Sequence, residues 1–102
     1  MRNYLVVVCK LGKRIRVTKR HWDSIIKKHE SIVGLESNVK ETLRTPHYIR
    51  VSKEDHQVFL YYAPRGKYFL CVVCRHLNGD GFIITAYLSD RIKKGETVYE
   101  TH

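Results

Sequence analysis

The stretch from Lys67 to Tyr87, KYFLCVVCRHLNGDGFIITAY, constrains the fold more than any other part of the chain. Tyr68 to Cys74 is an almost unbroken apolar run rich in β-branched and aromatic residues, the pattern of a strand buried on both faces in the middle of a sheet. Asn78, Gly79, Asp80 and Gly81 follow, residues that tolerate positive φ and let the chain reverse. The return strand is Phe82 to Leu88. Strand alternation sets Ile83, Thr85 and Tyr87 on one face and Phe82, Ile84, Ala86 and Leu88 on the other, so both hydroxyls fall on the same side. A loop of two or four residues at Asn78 to Gly81 pairs that side with Leu70, Val72 and Cys74. A three-residue loop pairs it with Phe69, Cys71, Val73 and Arg75. The sequence is compatible with either register.

The rest of the chain arranges itself around this hairpin. Tyr4 to Lys10 and Arg14 to Val17 read as two strands joined by a turn at Leu11 to Lys13. Thr18 is a natural N-cap for a helix running to Ser31 or Val33, which Gly34 stops. On that helix Trp22, Ile25, Ile26, His29 and Val33 form one stripe, opposite Arg20, Ser24, Lys27 and Lys28. A second helix, Leu35 to Arg44, carries Leu35, Val39 and Leu43 on one line and ends before Pro46. Strands are then expected at His47 to Ser52, at His56 to Tyr62 and in the central hairpin, with a short edge strand at Thr97 to Tyr99. The expectation is one α+β domain spanning 1–102: an N-terminal β-hairpin, then two helices packed on one face of an antiparallel sheet of about four strands.

Charge narrows the function. Lys and Arg number 19 against 10 Asp and Glu, a formal net charge of +9, which suits a polyanionic partner such as nucleic acid. Eight of the cations, Lys10, Lys13, Arg14, Arg16, Lys19, Arg20, Lys27 and Lys28, crowd the first hairpin and helix, where only Asp23 opposes them. Such a block is either a solvated face or a track for an RNA backbone. No run approaches the roughly 20 apolar residues of a membrane span, and Tyr4 to Cys9 reads as a strand rather than a signal segment. The expected compartment is the cytosol.

The three cysteines make a disulfide framework improbable. Cys71 and Cys74 form a CxxC, but residues three apart on a strand point to opposite faces, so they are expected to be buried thiols rather than a metal pair. No cofactor is expected. His21 and His29 lie eight residues apart on one helix, about 80° apart around its axis. The ordinary reading is one core and one surface imidazole. The alternative is an acid/base pair aimed at the sheet hydroxyls of Thr85 and Tyr87, with Lys28 supplying charge. Metal-free RNA cleavage needs that set: a base for the ribose 2′-hydroxyl, an acid for the 5′-oxygen, and donors for the phosphate. Tyr62 is the candidate for stacking on a base, although tyrosines in strands are commonly simple sheet packing.

Four segments carry a resemblance: RHWDSIIKKHE (Arg20 to Glu30), VKETLRTPHYI (Val39 to Ile49), FLYY (Phe59 to Tyr62) and GFIITAYLSDRIKKGE (Gly81 to Glu96). Together they resemble small phage and bacterial domains of the barnase, EndoU, colicin and RelE-like ribonuclease superfamily, over most of the chain after Thr18. The resemblance implies a metal-independent endoribonuclease, often a toxin restrained by an antitoxin or immunity protein. It implies active-site roles for His21, His29, Thr85 and Tyr87, and for basic strand residues matched here by Lys67 and Arg75. Many members carry proline after the second histidine, where this chain has Glu30. Two other functions stay open: a non-catalytic RNA-binding module on the same fold, and a protein-interaction domain whose basic face meets an acidic partner.

Overall fold

Strands Asn3–Val8 (β1) and Arg14–Thr18 (β2) form the expected N-terminal hairpin in the computed structural model, which describes residues 2–93 and 95–101. Helix α1, Lys19–Lys28, starts on the expected cap, with the Thr18 hydroxyl accepting from the His21 backbone N–H at 3.1 Å. It stops earlier than expected. His29 leaves helical geometry at φ −130°, and Glu30–Ile32 continues as one 3-10 turn before Gly34, at φ 82°, redirects the chain. Helix α2, Glu36–Arg44, buries Val39 and Leu43 as its four-residue spacing requires. Then come β3 (Tyr48–Val51), β4 (Val58–Arg65), β5 (Tyr68–His76), β6 (Asp80–Ser89) and β7 (Glu96–Glu100).

The class is α+β, but about four antiparallel strands is an undercount. All seven strands join one mixed sheet in the order β1-β2-β6-β5-β4-β3-β7. The N-terminal hairpin is not a separate piece: β2 lies parallel to β6, with Arg14 to Arg16 beside Asp80 to Phe82. The seam is close. A Cβ on Gly81 would stand 2.4 Å from the Arg75 carbonyl oxygen and 3.0 Å from Ile15 Cδ1, so only glycine passes between β5 and β2 there. The Arg16 guanidinium ties the two strands further, reaching the Asp80 carboxylate at 2.6 Å and the Gly81 carbonyl at 3.2 Å.

The two faces of the sheet differ. Against one pack the helices, whose Trp22, Ile25, Ile32, Val39 and Leu43 meet Ile15, Val17, Ile49, Tyr61, Leu70, Val72, Cys74, Ile83 and Ala86 in one buried core. The other carries a smaller cluster of Leu60, Tyr62, Cys71 and Val73, flanked by the partly buried Val58, Phe69, Ile84, Tyr87 and Ile92, with no helical residue in it. Cys71 and Cys74 accordingly belong to opposite faces, as strand geometry demands. The three cysteines are free and buried.

The central hairpin resolves its register in an unexpected way. His76 pairs with Gly81 across a four-residue connection, which sets Ile83 opposite Cys74. Alternation from there would put Thr85 on the helix side. Instead the pairing shifts, so that Val73 faces Thr85 and Cys71 faces Tyr87, and Ile84 is left as the extra residue of a β-bulge. That one residue turns Thr85 and Tyr87 to the face without helices and separates them from Ile83. The expected common face of Ile83, Thr85 and Tyr87 is therefore broken after Ile83.

Candidate active site

Strand β2 pairs with β6 only as far as Phe82, because at Thr18 the chain turns into α1. The first turn of α1 thus stands where β2 would have continued, beside the bulge. His21, in that turn, bonds through Nε2 to the Ile84 carbonyl at 2.8 Å. A carbonyl only accepts, so Nε2 carries the proton and Nδ1 of the neutral ring keeps its lone pair. At the other end of α1, His29 is the C-cap residue, half-buried, with its ring centroid 5.6 Å from that of Tyr87. A cavity of about 330 Å³ between α1 and β6 is lined by His21, Ser24, Ile25, Lys28, His29, Ile84 and Thr85. Both histidines and Lys28 thus open onto one space.

Thr85 also lines a second cavity, about 230 Å³, on the face without helices. Its floor is Val58, Leu60, Val73 and Tyr87; Ser52, Lys53 and Glu54 come from the β3–β4 loop, and Lys93 from the connection between β6 and β7. Burial pushes the Tyr87 phenol above its usual range, and the neighbouring Cys71 thiol adds to that. Tyr87 therefore stays protonated at neutral pH and is a donor. Cys71, between the Tyr62 and Tyr87 hydroxyls, is itself pushed up to about 11 by burial, which makes it an inert thiol.

Of the residues expected from sequence, His21, His29, Lys28, Thr85 and Tyr87 come together, and three do not. Arg75 is held by the Asp55 carboxylate at 2.5 Å and the Gln57 side-chain oxygen at 3.0 Å, so its charge is already paired. The Gln57 backbone N–H and that guanidinium keep the Asp55 carboxyl below the usual range. Lys67 sits in the β4–β5 turn, four residues before Cys71, the partner of Tyr87, and so about 13 Å along the strand. Tyr62 is 0% exposed, which leaves no ring face for a base; its hydroxyl accepts instead from the Lys93 backbone N–H at 3.0 Å. The basic block is partly spent on internal bonds. Lys13 reaches the Leu77 carbonyl, Arg16 the Asp80 carboxylate and Lys19 the Asp23 carboxylate, while Arg14, Arg20, Lys27 and Lys28 are exposed.

Sequence reasoning missed Lys53 and Lys93. No local pattern marks a lysine in a loop: Lys53 is brought to the cavity by the loop between the adjacent strands β3 and β4, and Lys93 by the crossing from β6 to β7. His76 was missed as well, but it belongs to the core: its Nε2 lies 2.9 Å from the Tyr61 hydroxyl and its ring stacks on Phe59 at 3.8 Å. Burial, with the Lys13 ammonium adding to it, pushes the His76 imidazole down to about 4, so it is neutral at physiological pH.

Among the described residues no three or more His, Cys, Asp or Glu side chains group so as to hold a metal ion, and no helix is long and apolar enough to cross a membrane. Compared with known proteins, the chain matches no family model, no curated protein and no solved structure.

Proposed function

We propose that this chain is a metal-independent endoribonuclease of toxin type, acting through His21 and His29. The observation that carries the reading is the convergence of His21, His29, Thr85 and Tyr87 at the bulge of β6, where two cavities share Thr85. Two imidazoles at the ends of one helix can flank a phosphate lodged between them. In the reaction, one histidine takes the proton of the ribose 2′-hydroxyl, and the new O2′–P bond forms as the P–O5′ bond breaks. The other histidine gives a proton to the departing 5′-oxygen. The products are a 2′,3′-cyclic phosphate and a 5′-hydroxyl, with no net change in protons. Thr85 and the protonated Tyr87 donate to the phosphate oxygens, and Lys28 offsets the charge that gathers there.

RNA is the substrate class that the +9 charge favours, and an acidic restraining protein is the partner it would accept. The test is incubation with bulk RNA in excess chelator, comparing the wild type with His29→Ala and Tyr87→Phe and mapping the fragment ends. Fragments from the wild type alone, ending in cyclic phosphate, are expected. Salt-sensitive binding equal in all three proteins, with no fragments, would make the chain a non-catalytic RNA-binding module whose histidines are structural.

A further inference from the structure

The described part of the connection between β6 and β7 crosses the face without helices, because β6 lies inside the sheet and β7 at its far edge, beyond β5, β4 and β3. Three contacts hold it down. Ile92 packs into the Leu60, Tyr62, Cys71 and Val73 cluster. The Lys93 backbone N–H donates to the Tyr62 hydroxyl at 3.0 Å. Gly95 passes so near β3 that a Cβ on it would stand 2.4 Å from the Val51 carbonyl oxygen. A crossing tethered this way presents its side chains in fixed places, and the Lys93 side chain is directed to the cavity of Thr85 and Tyr87. Its Nζ stands 6.0 Å from the Tyr87 ring centroid, and it makes no ion pair among the described residues, although Glu54 lines the same cavity.

We propose that Lys93 is a substrate-binding cation of the site and that Tyr62 is its positioning residue, acting from beneath the crossing through the hydrogen bond to the Lys93 backbone. The ligand is a phosphate of a single-stranded RNA, lying across Thr85 toward the second cavity. The assignment rests on the nuclease reading for its substrate, but not on catalysis for its test. A buried tyrosine whose only duty was packing would need no hydroxyl there; this one satisfies a backbone N–H in a segment that has no strand partner.

The experiment measures binding of a 2′-O-methylated RNA oligonucleotide, which has no 2′-hydroxyl to attack, as a function of salt, alongside cleavage of the unmodified strand. The proteins are the wild type, Lys93→Ala, Tyr62→Phe, the double variant, and Lys40→Ala as a cation on α2 outside the site. Loss of one phosphate contact should make the log–log salt slope of Lys93→Ala shallower by about 0.7, with cleavage reduced at least tenfold. Lys40→Ala should match the wild type. Tyr62→Phe should move the slope in the same direction, and the double variant should be no worse than Lys93→Ala alone, since Tyr62 acts through Lys93. Additive losses in the double variant would reduce Tyr62 to a packing residue. An unchanged slope in Lys93→Ala would overturn the assignment while leaving the nuclease reading intact. Binding without any cleavage by the wild type would remove the nuclease reading and leave Lys93 to be decided by its slope, and no binding even at low salt would remove both.

Discussion

The helix-covered face and the bare face of the same sheet divide the work of this protein. On the covered face Tyr61, Val72, Cys74 and Ile49 are each 0% exposed, and α1 and α2 add Trp22, Val39 and Leu43 to a continuous apolar interior. On the bare face apolar side chains sit among Thr85, Tyr87, Lys53 and Lys93 around an open cavity. The bare face also buries Tyr62 and Cys71, but the covered face holds the larger apolar cluster, so it supplies most of the hydrophobic stabilisation. The bare face leaves donors and cations where a solvated ligand can reach them. The bulge at Ile84 is the joint between the two: beyond it Thr85 and Tyr87 face the bare-face cavity, while Ala86 between them stays in the helix-covered core.

Substitutions can break or sharpen this division. The largest expected effect lies beside the bulge, in the cavity between α1 and β6, where His21→Ala or His29→Ala should lower RNA cleavage by about 10²–10⁴-fold with little change in stability. A variant that kept wild-type rates would take its histidine out of the mechanism. Next comes the core. Leu43→Ala removes a side chain that is 0% exposed and should cost about 2–5 kcal/mol by denaturant titration, with the cleavage rate per folded molecule unchanged. If Leu43→Ala instead altered activity in the folded fraction, the two faces would be coupled rather than divided.

The third effect is a pH dependence that belongs to the core alone. The His76 imidazole, at about 4 in the folded protein against about 6.5 in the unfolded chain, stabilises the neutral-pH fold. Below pH 6.5 the unfolded chain gains a proton that the folded one refuses. Stability should therefore decline as pH falls from about 6.5 to about 4, by up to about 3 kcal/mol, and be flat with respect to this group above that window. His76→Gln should flatten that decline in a series of thermal melts, and an unaltered slope would clear His76 of it. The smallest effect sits at the joint. Thr18→Ala deletes the side-chain cap of α1 and should cost about 1 kcal/mol, with a modest loss of cleavage because His21 is the residue whose backbone N–H the cap receives. Recovery by Thr18→Ser would tie both losses to the hydroxyl.

Much of this was legible in the residues themselves, because local pattern and turn chemistry act over a few positions. Thr18 as cap, the apolar line of Val39 and Leu43, the strand from Tyr68 and the opposed thiols of Cys71 and Cys74 need no distant partner to be specified. The grouping of His21 with His29, and of Thr85 with Tyr87, likewise follows from helix and strand periods. The two hairpins were legible too, but tertiary structure alone decided how the first joins the sheet, since the parallel contact of β2 with β6 is made across the whole helical segment and depends on Gly81 fitting between two backbones. It also decided the face of Thr85 and Tyr87. The sequence is compatible with a loop of two, three or four residues, and the shift at Ile84 arises where β2 gives way to α1 and His21 bonds to the Ile84 carbonyl. Lys93 reaches the cavity, and Arg75 is withheld from it, for the same reason: a charged side chain goes where its backbone is carried and where its partners stand, and neither is written within a few residues of it.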